Sequence, residues 1–215
     1  MNIIFLGAPG SGKGTQALML SNELNIPQIS TGDALRKEVD ELSEVGKLAK
    51  SHMDSGNLVP DEVVVNIIKN RISKEDCKNG FILDGFPRNI AQAKTLDLML
   101  ESLNTKINKV FNFDVSEDIL VKRITGRYTC KNCNAPYNKF FKLPIKEGVC
   151  DNCHCTEFSN RSDDNEETLR SRLKVYNDLS KDLIDHYKNN NLLLMIKAVQ
   201  NPPLIFEELL NAVNN

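Results

Sequence analysis

Hydrophobic positions along this chain follow two alternating rhythms. Solid apolar runs occur in NIIFLG (2–7), PQIS (27–30), GFILD (80–84), NKVFNFDV (108–115) and LLLMI (192–196), and they read as short buried parallel strands. Between the runs, apolar residues recur every three or four positions, as helices require. Ala17, Leu20 and Leu24 share one face of 13–24. Val63, Val64, Ile67 and Ile68 are the expected core face of a helix opened by Pro60-Asp61-Glu62. Ser116, Glu117 and Asp118 start a short helix that Gly126 ends. Leu169, Leu173, Tyr176, Leu179, Leu183 and Tyr187 mark a long helix over 165–188, and Leu204, Phe206, Leu209 and Leu210 a closing one after Pro202-Pro203. About five strands alternating with helices predict an α/β fold, a doubly wound parallel five-stranded sheet with helices on both faces.

Two stretches break the rhythm and read as excursions from the main body. Residues 31–56 are polar and helix-prone, with Ser, Thr and Asp at a capping position and Gly46 and Gly56 as helix ends. Residues 127–161 carry five of the six cysteines.

The turn after the first run is GAPGSGKGT, Gly7 to Thr15, and Gly7, Gly12 and Lys13 satisfy the G-x-x-x-x-G-K pattern of a P-loop. Backbone N–H groups must turn inward around phosphate oxygens there, and glycine permits it without a β-carbon clash. The helix N-terminus and Lys13 add positive charge. The strict pattern places Ser or Thr directly after the lysine to ligate Mg²⁺; here Gly14 follows and the hydroxyl is on Thr15. Asp84 ends the strand FILD, where a carboxylate would lie beside the phosphate loop and could hold Mg²⁺ through water, or simply cap the turn at Gly85.

Net charge is −2, so no global field draws this chain to nucleic acid. Only eight of its 27 basic residues are arginine. In a chain that uses lysine for plain charge, arginine is wanted for its planar fork, which grips phosphate bidentately. Met1-Asn2 runs straight into an apolar strand with no charged leader, and no apolar run approaches a membrane span, so a cytoplasmic protein with reduced thiols is expected. Cys130-x₂-Cys133 and Cys150-x₂-Cys153 have the spacing of two zinc knuckles sharing one ion. CDNCHC also offers His154 and Cys155 as ligands. Four thiolates would close the coordination shell, so the zinc is expected to be structural. The segment is mildly basic and carries Tyr137, Phe140 and Phe141, which leaves open a zinc ribbon that stacks single-stranded nucleic acid.

GAPGSGKGT, STGDALR, GFILDGFPR, RITGR, RSDDNEETLRSRL and the four-cysteine segment stand in an order that resembles adenylate kinases of the long, zinc-carrying type, and the resemblance covers nearly the whole chain. It implies a core of 1–29, 60–125 and 163–215, a helical segment for the nucleoside monophosphate at 30–59 and a zinc-bearing lid at 126–162. It implies reversible phosphoryl transfer from MgATP to AMP, giving two ADP. Carried onto this sequence, Gly10, Ser11, Gly12, Lys13, Gly14 and Thr15 would hold the ATP phosphates. Thr31, Arg36, Asn57, Leu58, Val59, Gly85, Phe86, Pro87 and Arg88 would bind AMP, and Gln92 would read its adenine edge. Arg123, Arg127, Arg161 and Arg172 would converge on the transferring phosphoryl and its neighbours, and Asp33 and Asp84 would orient hydrated Mg²⁺. Asp163 and Asp164 resemble the acidic pair at the lid hinge. Pro136 and Tyr137 fall where the lid touches adenine or ribose, and Gln200 is a further candidate for adenine contact. Six of the eight arginines thus land on motif positions, leaving Arg71 and Arg170 for solvated helix faces. A monomer is expected, with ATP, AMP and ADP as its partners. A UMP/CMP-type kinase is the nearer alternative, against which Thr31 and Gln92 favour adenine.

Overall fold

A computed structural model describes residues 1–199 and 201–214 of the chain; Gln200, one of the expected adenine contacts, lies outside the described residues. Five parallel strands form the central sheet, in the order β2-β3-β1-β4-β8: β1 (Asn2–Gly7), β2 (Gln28–Ser30), β3 (Phe81–Asp84), β4 (Lys109–Asp114) and β8 (Leu193–Lys197). β1 pairs with β3 on one side and β4 on the other, so its residues are buried on both faces, and the period of two sends them alternately to each. Ile4 and Leu6 meet α4 (Asp61–Ile72), α5 (Ile90–Ser102) and α7 (Glu166–Asn189). Ile3 and Phe5 meet α1 (Lys13–Leu24) and α8 (Pro202–Asn214). This is the expected doubly wound α/β fold, and it sets the C-terminal ends of β1, β2 and β3 side by side beneath one cleft.

Helix faces differ in detail from their expected rows. On α8 the buried row is Ile205, Leu209 and Val213, while Leu204 is 51% exposed, because a row of i, i+4, i+8 faces the sheet. On α4 it is Val64, Ile68 and Ile72, with Val63 and Ile67 at its margin. Helix α5 was not among the expected elements. Asn89 caps it by accepting from the Gln92 N–H at 2.8 Å.

Both excursions have structure of their own. Residues 31–56 form α2 (Thr31–Asp40) and α3 (Glu44–Asp54), capped by the Ser30 and Ser43 hydroxyls. The two helices cross at Gly46, where any β-carbon would overlap the Glu38 carbonyl oxygen. The cysteine segment folds into a three-stranded antiparallel sheet, β6 (Pro136–Asn138), β5 (Arg127–Cys130) and β7 (Phe158–Ser159), hung between α6 (Glu117–Thr125) and α7. No helix among the described residues is long and apolar enough to cross a membrane.

Candidate active site

The phosphate loop joins β1 to α1. Gly10 and Gly12 have φ of 82° and 99°, and Gly12 stands at the N-cap of α1, so the loop turns its amides toward the helix end. Lys13 curls back over it. Its Nζ donates to the carbonyls of Gly7 (2.7 Å) and Ala8 (2.8 Å) and to Ser11 Oγ (3.2 Å). Burial among other cations lowers its pKa to about 8, against the opposing pull of Asp84. Asp84 is itself pushed up by burial and by nearby Asp33, with Lys13 opposing; Gln28 Nε2 donates to its Oδ2 at 3.3 Å. Thr15, the displaced hydroxyl, is exposed.

Beside this loop opens a cleft built from separate stretches of chain. Thr31, Gly32 and Arg36 come from α2, Asn57, Leu58 and Val59 from the approach to α4, Arg88 and Gln92 from the entry to α5, and Asp163 and Arg172 from the start of α7. Gly85 is the hub: its carbonyl accepts from Thr31 Oγ1 (2.9 Å) and from Arg88 Nε (2.8 Å). Phe86 and Pro87, expected to contact AMP, are both buried, and the Phe86 ring is fully enclosed in the core under α4 and α5. An apolar ring at the end of β3 is worth more inside the core than at the cleft wall, so the Phe86 ring anchors the turn that carries Arg88.

The basic residues form an array, and most hold an acid on their own chain. Arg172 pairs with buried Asp163 (2.7 Å). Arg127 grips Asp164 with both Nε and Nη2. Asp33 accepts from Arg36 (2.6 Å) and Arg161 (3.2 Å), which outweigh its burial and hold its carboxyl below the usual range. Arg88 and Arg161 are each drawn down to about 10, first by burial and then by neighbouring guanidinium groups, Arg172 and Arg127 respectively. Cations crowded this closely repel one another, and an anion between them would relieve the repulsion. Arg123 stands apart: it donates to the carbonyls of Ser11 (3.0 Å) and Ala198 (2.9 Å), and Phe141 lies 6.0 Å from its guanidinium.

A family model described as adenylate kinase matches residues 5–192. The chain belongs to the adenylate kinase family. It is 54% identical over 195 residues to an adenylate kinase of Caldicellulosiruptor bescii, covering 91% of this chain and 90% of the relative. It is 49% identical over 215 residues to one of Clostridioides difficile, covering 100% and 99%. It is 49% identical over 209 residues to one of Archaeoglobus fulgidus, covering 97% and 96%. The protein is therefore a phosphotransferase with adenylate kinase activity, working on ATP as its magnesium complex.

In this adenylate kinase the four cysteines Cys130, Cys133, Cys150 and Cys153 bring their sulfurs within 4.8 Å of one another. Sulfurs tetrahedrally arranged around Zn²⁺ are separated by about 3.8 Å; here Cys130 and Cys153 stand 3.5 Å apart, as do Cys133 and Cys150, so the donor set fits the ion. The ligand ambiguity in CDNCHC falls to Cys153: His154 is exposed, and Cys155 Sγ instead accepts from the Glu157 N–H at 3.4 Å. Tyr137 sits in the interior of this module. It is 3% exposed, packed between Tyr128 and Phe158, and its hydroxyl donates to Cys150 Sγ at 3.4 Å and accepts from the Asp151 N–H at 2.7 Å. That donation helps hold the Cys150 thiol down to about 6. Its ring is part of the small interior around the cysteines, whereas Pro136 is exposed. Phe140 and Phe141 stay outside, 60% and 55% exposed.

Two further interactions went unread in the sequence. Arg71, assigned to a solvated face, holds Asp76 bidentately (2.8 and 2.7 Å) and reaches buried Cys77 Sγ at 3.0 Å. Asp61, read only as the start of a helix, accepts from Gln92 Nε2 at 2.6 Å. Neither had a motif to mark it.

Proposed function

We propose that the two binding sites of this adenylate kinase are the loop Gly10–Thr15 for the ATP phosphates and the adjacent cleft for AMP. The single observation that carries this reading is that Thr31, Arg36, Asn57, Leu58, Val59, Arg88, Gln92 and Arg172, from distant parts of the sequence, line one cleft. Thr31 and Gly85 would shape the mouth, Arg36 and Arg88 would hold the AMP phosphate, and Gln92 would read the base. Lys13, Arg88, Arg161 and Arg172 would surround the transferring group, with Arg127 on the lid side. Arg123 and Pro136 would border ATP.

Phosphoryl transfer asks little covalent chemistry of the protein; the rate comes from alignment and from neutralising charge on the equatorial oxygens. No nucleophile or general base is needed. Asp33 and Asp84 would hold Mg²⁺ through water, and the ion would supply charge neutralisation on ATP. Segments 30–59 and 126–162 would close over the core at 1–29, 60–125 and 163–215, excluding water as the competing acceptor. The cysteine cluster would hold one structural Zn²⁺ that stiffens the lid. Every part of this machinery comes from one chain, so the enzyme would work as a monomer, and the cytoplasm is its proposed place.

The test is ADP formation from ATP with AMP, UMP, CMP or GMP as acceptor. AMP should be by far the best. A preference for UMP or CMP would overturn the assignment of the cleft.

A further inference from the structure

We infer that Asp61 is a specificity-determining residue: it locks the Gln92 amide in the one orientation that accepts a 6-amino purine and refuses a 6-oxo purine. The inference rests on the proposed reading of the cleft as the AMP site, with Gln92 at the base.

Gln92 is 2% exposed and lines the cleft, and both ends of its amide are already engaged. Nε2 donates to Asp61 Oδ1 at 2.6 Å, while Oε1 accepts from the backbone N–H of Arg88 at 2.7 Å. The assignment of nitrogen and oxygen is dictated by chemistry. An ionised carboxylate only accepts and a backbone N–H only donates, so a flipped amide would set acceptor against acceptor and donor against donor. Asp61 is held in turn. Asn89 Nδ2 donates to its Oδ1 (3.2 Å) and Oδ2 (3.1 Å), and Asn89 Oδ1 accepts from the Gln92 N–H (2.8 Å). The network joins the first turn of α4 to the first turn of α5.

A primary amide has two N–H groups and two acceptor lone pairs. With one of each used, Gln92 keeps one N–H and one lone pair, in fixed positions. Adenine presents an amino donor at C6 beside an acceptor at N1, which that pair complements. Hypoxanthine, as in IMP, presents an oxo acceptor at C6 beside an N1–H donor, the reverse pattern. A freely flipping glutamine would accommodate either base. A locked one leaves a buried donor facing a donor when the wrong base enters, and mismatches of that kind are where large discrimination originates. Asp61 touches neither substrate; it acts through Gln92.

The experiment compares kcat/KM for AMP with that for IMP in the wild type, Asp61→Asn, Asp61→Ala and Gln92→Ala, all with saturating MgATP. Asp61→Asn keeps the shape and turns one acceptor into a donor facing Asn89 or Gln92. The AMP:IMP ratio should fall about tenfold or more in both Asp61 variants, mainly through a higher KM for AMP. If Gln92→Ala lowers the ratio while both Asp61 variants keep it, or lose activity equally on both substrates, Asp61 is only a helix-start acid and the inference is wrong. If Gln92→Ala also leaves the ratio untouched, Gln92 does not read the base, and the reading of the cleft falls with it.

Discussion

The α-carbon of Gly14 rests against the carboxylate of Asp84: a β-carbon at position 14 would sit 3.3 Å from Asp84 Oδ2. Position 14 is where the strict phosphate-loop pattern has Ser or Thr, so a side chain there would press on Asp84. Replacing Gly14 with Ser should displace Asp84, raise the Mg²⁺ concentration needed for half-maximal rate several-fold and lower kcat roughly tenfold. The melting temperature should change little. A magnesium titration superimposable on that of the wild type would show that Asp84 has no part in holding the ion.

Lys13 sets a pH dependence. Its pKa of about 8 in the folded enzyme lies below the ordinary 10.5. Between these values the unfolded chain holds the proton and the folded chain does not, so this group's contribution to stability rises with pH through that window. ATP phosphates favour the charged form. Binding at pH 8, where ATP is fully ionised, should therefore draw in about half a proton at Lys13. Calorimetric titrations in buffers of different ionisation enthalpy measure this directly, and zero uptake at pH 8 would contradict the shift.

Arg88 is crowded by Arg172 and Arg36, with Asp84 and Asp163 opposing, and its side chain donates to the Gly85 carbonyl. Arg88→Ala should lower kcat about 100-fold or more with little loss of stability, since removing a crowded cation relieves repulsion. Near-normal turnover would remove it from the catalytic set. Arg123→Ala should differ by also raising the KM for ATP, because it braces the phosphate loop through the Ser11 carbonyl.

The zinc site separates scaffold from chemistry. Cys130→Ser with Cys133→Ser should release about one zinc per chain and lower the melting temperature, while much of the activity survives at low temperature. Cys155→Ser, outside the cluster, should keep the metal. A folded double mutant with no phosphoryl transfer at all would mean that the metal does more than stiffen the lid.

Gly46 offers a test remote from the chemistry. A β-carbon there overlaps the Glu38 carbonyl, so Gly46→Ala must push α3 off α2 at about 1–3 kcal/mol. Thermal unfolding should register the loss, and the KM for AMP should rise because Thr31 and Arg36 ride on α2.

The sheet was legible because its strands are solid apolar runs, and the phosphate loop because glycine spacing leaves little room for another reading. The arginines were legible because lysine carries charge elsewhere in the chain. What escaped was set by tertiary contact. The lid strands are two to four residues long, too short for alternation to speak. The burial of the Tyr137 ring escaped because an aromatic beside a cysteine motif carries no mark of which way it faces, and so small a module needs its aromatics inside. The sequence around Phe86 carries no periodicity that shows its ring filling the core. Asp61 sits in a helix start where an acid is unremarkable, and its partner lies on another helix.

The acids that hold the arginine array have one more consequence. Asp33, Asp163 and Asp164 would act as placeholders for phosphate: each pairs with guanidinium groups that would otherwise repel one another or recruit a polyanion. A flexible nucleic acid strand would have to displace them one at a time from inside a narrow cleft, gaining little at each exchange. A compact nucleotide brings its charges together and takes over several at once. The carboxylates that partner these half-buried arginines would therefore favour a compact polyphosphate over an extended polyanion.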